Sequence, residues 1–171
     1  MEMTVVRDLY LHMEWADARV WGAVLALPAD AAEDEALQRA LLHIHTVQRA
    51  FLSIWRGEEP AFRKRSDFAS LHEMAVWARE GHALLQAHLA SVSGDDSGRD
   101  MLLPWAALIS KVLGREPAPS TFADTILQVP MHSTYHRGQA NARIRALGGE
   151  PPLVDYIAWV WGGRGQPKWE V

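Results

Sequence analysis

The chain has 171 residues, no cysteine and a formal net charge of −4 at pH 7. This length suits one domain, expected to extend over residues 1–171, and the lack of cysteine excludes disulfides, zinc–thiolate sites and a cysteine nucleophile. The negative charge and the scattered basic residues argue against nucleic acid as a partner. No run of about 18 apolar residues predicts a membrane span, and Met1 to Asp8 does not resemble a signal peptide, so we expect a cytoplasmic location.

The first predicted helix extends from Val5 to Leu27 and ends before Pro28, which disfavours the helical conformation in the residue that precedes it. Its apolar residues recur at helical spacing and occupy an arc of roughly 100°. Asp17 lies at the rim of that arc. It is either a solvated residue on the flank of the helix or a group that orients a metal-bound imidazole.

The second predicted helix extends from about Glu35 to Arg56, with Gly57 as its C-cap. The helical wheel puts His43 inside the apolar arc of this helix and His45 on the solvent side. A single histidine that faces the core is either a hydrogen-bonded structural residue or a metal ligand. This helix alone does not decide between the two.

The third predicted helix extends from about Ser70 to Ser91, and Ser70 with Glu73 forms a candidate capping box. The three histidines of this region share no face at i,i+4 spacing and are interpreted as surface or packing residues: His72, His82 and His88. The next segment, Met101 to Pro119, contains several prolines. It is compatible with an irregular crossover, a short helix or a pair of short strands.

The fourth predicted helix begins at Ser120 or Thr121, continues to Leu147, and contains Pro130, which predicts a local kink. Asp124 is placed for a capping box. His132 and His136 are four residues apart, so both imidazoles lie on one helix face, and the wheel makes that face the apolar one. A short apolar segment follows from Val154 to Trp161.

A buried pair of imidazoles needs hydrogen bonds or a metal ion, since unpaired polar groups are costly to desolvate. With His43 the pair makes a set of three histidines, which leaves an open coordination position on Zn²⁺ or Ni²⁺, as catalytic sites do. No glutamate lies between His132 and His136, so the pattern is not that of a zincin protease.

Two segments resemble the DinB/YfiT-like metalloprotein family: HIHTVQRAFLSIWRG from His43 to Gly57, and HSTYHRGQANARIRALGGEPP from His132 to Pro152. Trp15-Ala16-Asp17 is similar to the W-A-N of the family's first helix, and Asp155 to the aspartate that follows its PP. The resemblance covers essentially the whole bundle. The chain departs from the pattern at Asp17, where asparagine is usual, and at Met101–Pro119, which shows none of the hairpin that some members carry.

The resemblance implies an all-α four-helix bundle with a long crossover connection, together with a short C-terminal helical segment. It also implies a divalent metal ion, nickel or zinc, bound by His43, His132 and His136. Family members are described as thiol-dependent S-transferases, a mycothiol-dependent isomerase and metal-dependent hydrolases. A metal ion can serve the first two by lowering the pKa of a cofactor thiol, and the third by lowering that of bound water.

The function expected on these grounds is a metal-dependent transferase that acts on a small-molecule substrate with a low-molecular-weight thiol. The alternatives are a hydrolase, a stress-inducible metal-binding protein without turnover, and a helical dimerisation module with a histidine hydrogen-bond network. Three residues are candidates for supporting roles at the site. Asp17 could orient an imidazole, Gln139 could form a hydrogen bond with a metal ligand or the substrate, and Arg143 could recognise an anion. Arg137 is interpreted as a surface residue or a salt-bridge partner. The eight tryptophans suggest either a large aromatic pocket lining or a subunit interface, and the second interpretation leads us to expect a homodimer.

Overall fold

Four long helices form a bundle in the computed structural model, which describes residues 2–171. Met1, where the segment judged unlike a signal peptide begins, lies outside the described residues. The long helices are α1 (Met3–Leu25), α3 (Glu35–Arg56), α4 (Leu71–Ser91) and α6 (Phe122–Ala146). Three short helices connect or follow them: α2 (Ala29–Ala32), α5 (Ala106–Leu113) and α7 (Tyr156–Trp161). The all-α bundle predicted from the sequence is confirmed.

Local hydrogen bonds set the ends of the long helices. Asp34 accepts from the backbone N–H of Leu37 at 2.8 Å and caps α3, which ends at Gly57 in the left-handed conformation with φ of 75°. Thr121 and Asp124 form the predicted capping box of α6. At α4 the Ser70 hydroxyl caps the helix, but the Glu73 carboxylate accepts from the N–H of Ala69 instead of Ser70.

The crossover between α4 and α6 contains both a helix and a pair of strands. Strands β1 (Asp100–Met101) and β2 (Ser120–Thr121) pair antiparallel, with Asp100 opposite Thr121, and α5 lies between them. The short helix and the pair of short strands that the sequence left open for this segment are therefore both present, with the strands at its two ends. The strand pair also joins the two ends of the crossover, so that α5 is held beside α3 and α6.

The interior of the bundle has two apolar clusters with a polar layer between them. One cluster lies around Trp21, Leu41 and Ile144, and the other around Trp55 and Phe122. On all four long helices the residues between the clusters are polar and at most 3% exposed: Asp17, His45, Gln48, His82, Ser133 and Arg137. Buried polar groups need partners, and these six residues supply most of them to one another.

The orientation of α3 differs from the sequence prediction. His45 is 1% exposed, whereas His43 lies on the exposed side of the helix. The prediction gave weight to small residues such as Ala40 and Ala50, but the largest apolar residues of the helix lie about 80° to 180° from His43 on the wheel. Those residues, all buried, are Leu37, Leu41, Phe51, Leu52 and Trp55. His45 is buried with them because hydrogen bonds satisfy both of its ring nitrogens.

Candidate metal centre

Three imidazoles from two helices converge at the edge of the bundle. His43 projects from α3, and His132 and His136 project from successive turns of α6. The Nε2 atoms of His43 and His132 are 3.0 Å apart, and the His136 ring centroid is 4.4 Å from that of His43 and 4.3 Å from that of His132. Each of the three offers a nitrogen within 4.8 Å of the other two. The predicted proximity of His43 to the pair on α6 is therefore present.

The hydrogen bond between His136 and Gln139 determines which nitrogen of His136 is free. His136 Nδ1 lies 2.8 Å from Gln139 Oε1, and because an amide oxygen only accepts, Nδ1 carries the proton. Nε2 then has an unshared electron pair. Histidines that bind a metal ion typically donate a hydrogen bond from their other ring nitrogen in this way, and that bond fixes the tautomer.

Partial desolvation and the neighbouring imidazoles favour the neutral form of His43 and His132. Desolvation and the nearby His136 lower the pKa of His43, and desolvation with the charges of His136 and His43 lowers the pKa of His132 to about 4. Neutral imidazole is the form that coordinates a metal ion. At neutral pH His43 and His132 therefore offer nitrogen donors without losing protons first.

The donor set and its spacing fit Zn²⁺ or Ni²⁺. Two nitrogens about 2.0–2.1 Å from a tetrahedral zinc ion are about 3.3 Å apart, close to the separation of 3.0 Å between His43 and His132. His43 lies on the exposed side, and His132 and His136 are half-buried, so solvent reaches the cluster. Three nitrogen ligands with solvent access leave room for a further ligand, as in catalytic sites.

A buried polar network lies directly behind the cluster. Gln48 Nε2 donates to Asp17 Oδ2 at 2.8 Å and to Ser133 Oγ at 3.1 Å. Arg137 donates to Asp17 in a buried ion pair. Ser133 and Arg137 each follow a histidine of the cluster in the chain, so the network fixes the rotation of α6 that presents His132 and His136.

The network contains a second group with metal-ligand atoms, but it does not fit a metal ion. Asp17, His45 and His82 offer atoms within 4.8 Å of one another. His45 Nε2 accepts from Trp21 Nε1 at 2.8 Å, and His45 Nδ1 lies 2.8 Å from Gln48 Oε1. Both nitrogens of His45 are therefore engaged, and burial lowers the pKa of its ring to about 4. We interpret this group as a hydrogen-bond network around the Asp17–Arg137 pair.

The residues considered for supporting roles occupy different places. Gln139 contacts His136, as the sequence suggested. Asp17 lies in the buried network, and the imidazole that it contacts is His82, at 3.0 Å, instead of a ring of the three-histidine cluster. Arg143 is paired with Asp34, whose carboxylate lies 2.9 Å from Arg143 Nε. Its guanidinium is thus engaged in an ion pair at the start of α3.

Sequence reasoning missed most of the buried network. Arg137 is salt-bridged, which was one of its two interpretations, but it is 2% exposed instead of lying at the surface. Gln48 and Ser133 were given no role, and His82, interpreted as a surface or packing residue, is buried and contacts Asp17. Their positions provided one signal, since Ser133 and Arg137 lie on the apolar face of α6 and polar residues there need buried partners.

A four-helix bundle with a crossover, carrying three histidines that converge on its side, defines the structural class of this protein. The family model of the DinB family matches residues 1–168, so the chain belongs to the DinB family. A comparison with curated proteins finds no match. In residues 2–171, each helix is too short or too polar to cross a membrane.

Proposed function

We propose that this protein binds a divalent metal ion, Zn²⁺ or Ni²⁺, at His43, His132 and His136. The observation that carries the proposal is the approach of three imidazoles from α3 and α6 in a solvent-accessible place. Membership of the DinB family supports it. Gln139 holds the proton of His136 on Nδ1, and the network around Asp17 fixes the rotation of α6.

We further propose that the site serves a transferase reaction between a low-molecular-weight thiol and an electrophilic small molecule. A bound metal ion would supply acidity to the thiol, whose sulfur then forms a bond to the electrophilic carbon. The leaving group departs with its electron pair, and the thiol proton passes to solvent. The chain has no cysteine, so the thiol must belong to a second small molecule. A hydrolase, in which water replaces the thiol, and a metal-binding protein without turnover are the alternatives.

Metal content tests the first proposal. We expect the purified protein to contain close to one equivalent of zinc or nickel by elemental analysis, and His132→Ala to lose it while keeping its helical circular dichroism. His72→Ala is a matched control, since His72 is an exposed histidine on α4, away from the cluster. Equal metal content in His132→Ala and His72→Ala would contradict the site.

Thiol consumption tests the second proposal. We expect the metal-loaded protein to accelerate loss of free thiol when a low-molecular-weight thiol and an electrophile are both present, and His43→Ala to abolish the acceleration. Consumption of an ester or amide without thiol would favour the hydrolase. Bound metal with neither activity across a panel of thiols and electrophiles would favour the non-catalytic alternative.

We also propose that the protein forms a homodimer through the outward face of α6. Leu127, Met131 and Tyr135 follow one another at i,i+4 spacing and are 39%, 69% and 66% exposed. Such a stripe of apolar residues is typical of an interaction surface. Light scattering should give twice the mass of the chain for the native protein and a smaller mass for Met131→Glu. Leu102→Glu, at another exposed position, is the control.

A further inference from the structure

A cavity of about 500 Å³ lies beside the three-histidine cluster, between α3, α5 and α6. His43 and His132 line one part of it. The remainder is formed mainly by apolar side chains: Val47, Phe51, Phe62, Trp105, Leu108 and Ile109. Its volume lies in the range of small-molecule sites in proteins, about 300–1,000 Å³. A ligand in the cavity would therefore be next to two of the proposed metal ligands.

The cavity lining carries no Asp, Glu, Lys or Arg among the described residues, and Gln128 is its one polar side chain besides the histidines. The other cavities described for residues 2–171 differ in this respect. The cavity between α1, α6 and α7 includes Arg137 and Asp155, and the one along the crossover includes Asp100 and Glu116. Without a bound metal ion, an ionised group placed beside His43 and His132 would lose hydration without gaining an opposite charge from the lining, which is costly.

Two apolar side chains of the cavity remain in contact with water. Phe62 and Leu108 are each 64% exposed, although both line the cavity. By contrast, Phe51 is 4% exposed and packs against the Trp105 ring with their centroids 5.1 Å apart. One side of the cavity is therefore fixed by packing, while the other offers apolar surface that an apolar ligand would remove from contact with water.

We propose that this cavity binds the uncharged, apolar body of the substrate, with space for an aromatic ring system, and discriminates against an anion of the same shape. The role of the bound molecule as the electrophile rests on the proposed function. Its binding to the cavity does not, because the apolar lining is complete without a metal ion. The substrate class is thus a neutral hydrophobic electrophile, with its reacting carbon towards His43 and His132.

A pair of probes of nearly equal shape tests the charge preference. We expect 2-naphthamide to bind the full-length protein at least tenfold more tightly than 2-naphthoate in isothermal titration calorimetry. The measurement is made on the protein as purified and again after dialysis against EDTA, because a carboxylate can also bind a metal ion directly. Equal affinity for the two probes after EDTA treatment, or no binding of 2-naphthamide, would overturn the proposal.

A substitution that adds a positive charge to the lining locates the binding site. Leu108→Arg should weaken 2-naphthamide binding and strengthen 2-naphthoate binding, which narrows or reverses the preference. Val112→Arg is the matched control, because Val112 is 82% exposed on the same helix and lies outside the cavity lining. If both variants change the two affinities equally, the probes bind elsewhere and the inference is wrong.

Retained naphthamide binding without any metal binding would instead refute the proposed metal centre and leave the cavity assignment standing.

Discussion

The hydroxyl of Tyr10 donates a hydrogen bond of 2.8 Å to the carbonyl oxygen of Ile126. In a regular helix this oxygen would accept from the backbone N–H four residues later, but that residue is Pro130, which has none. Burial raises the pKa of Tyr10, so its hydroxyl stays protonated and able to donate. A side chain of α1 therefore satisfies the acceptor that Pro130 leaves free, and α6 continues through the proline towards His132.

Removing this hydroxyl should destabilise the protein by an amount that depends on Pro130. Tyr10→Phe leaves the Ile126 carbonyl buried without a partner, which costs about 1–3 kcal/mol. In a Pro130→Ala background residue 130 regains its N–H, so the same substitution should cost clearly less. Urea unfolding of the four proteins of this double-mutant cycle measures the difference. An equal cost in both backgrounds would contradict the role assigned to Tyr10.

The buried ion pair between Asp17 and Arg137 should be far more important for stability than the exposed pair between Asp34 and Arg143. Asp17→Asn leaves the Arg137 guanidinium buried without an opposite charge, which costs about 3–5 kcal/mol in the free energy of unfolding. Arg143 is 43% exposed, and Arg143→Gln should give no measurable change in the urea midpoint because such pairs are screened by solvent. A similar effect of the two substitutions would show that the network around Asp17 is not required for folding.

Acid should destabilise the protein partly through Asp17. Burial alone would raise the pKa of Asp17, but the charge of Arg137 and the hydrogen bond of His82 lower it well below its usual range. In the unfolded chain the carboxyl group has a pKa of about 3.9. The unfolded state therefore binds more protons below about pH 4, so the contribution of Asp17 is complete above that pH and is lost as the pH falls.

The measurement is the free energy of unfolding between pH 6 and pH 2 for the native protein and Asp17→Asn. We expect a smaller loss of stability in the variant over this range. Other carboxyl groups titrate in both proteins, including Asp34, whose pKa the hydrogen bond from Arg143 lowers to about 2. The comparison isolates Asp17 for that reason, and parallel curves for the two proteins would exclude its contribution.

Two glycines of the C-terminal half of the chain should respond oppositely to alanine. A Cβ atom at Gly149 would lie 2.5 Å from Leu27 Cδ2, so Gly149→Ala should destabilise the protein by about 1–3 kcal/mol. A Cβ atom at Gly138 would meet nothing within 4 Å. Gly138→Ala should stabilise α6 by about 0.5–1 kcal/mol. Thermal unfolding of both variants checks the two signs.

The boundaries of the helices could be predicted because they depend on local chemistry. α3 begins and ends where the sequence indicated, since Gly57 and the acidic segment before Glu35 act within one turn. The fourth helix was limited in the same way by Thr121 and by the Gly148-Gly149 pair. A capping residue affects the backbone next to it, so no tertiary information is needed.

The direction in which each polar side chain points could not be predicted in the same way. The helical wheel of α3 assigned His45 to solvent, because a wheel contains no information about other helices. In the structure the indole N–H of Trp21, on α1, donates to the His45 ring. Likewise, Arg137 is buried because Asp17 faces it from another helix. Two histidines at i,i+4 spacing lie close together on one helix, whereas His45 and Arg137 have partners on α1 that are far away in sequence. Contacts of this kind depend on how the four helices pack.

The hydrogen bond from His136 to Gln139 leads to a prediction about metal affinity. Gln139→Leu removes the acceptor for Nδ1–H, so the His136 ring loses its fixed tautomer, and metal affinity should fall about 10–100-fold. Gln139→Glu keeps an acceptor oxygen at the same position and should retain most of the affinity. Because Gln139 is exposed, neither substitution should alter the unfolding midpoint of the metal-free protein. Competition for Zn²⁺ with a chromophoric chelator measures the affinities, and equal affinities for the two variants would mean that Gln139 does not orient His136.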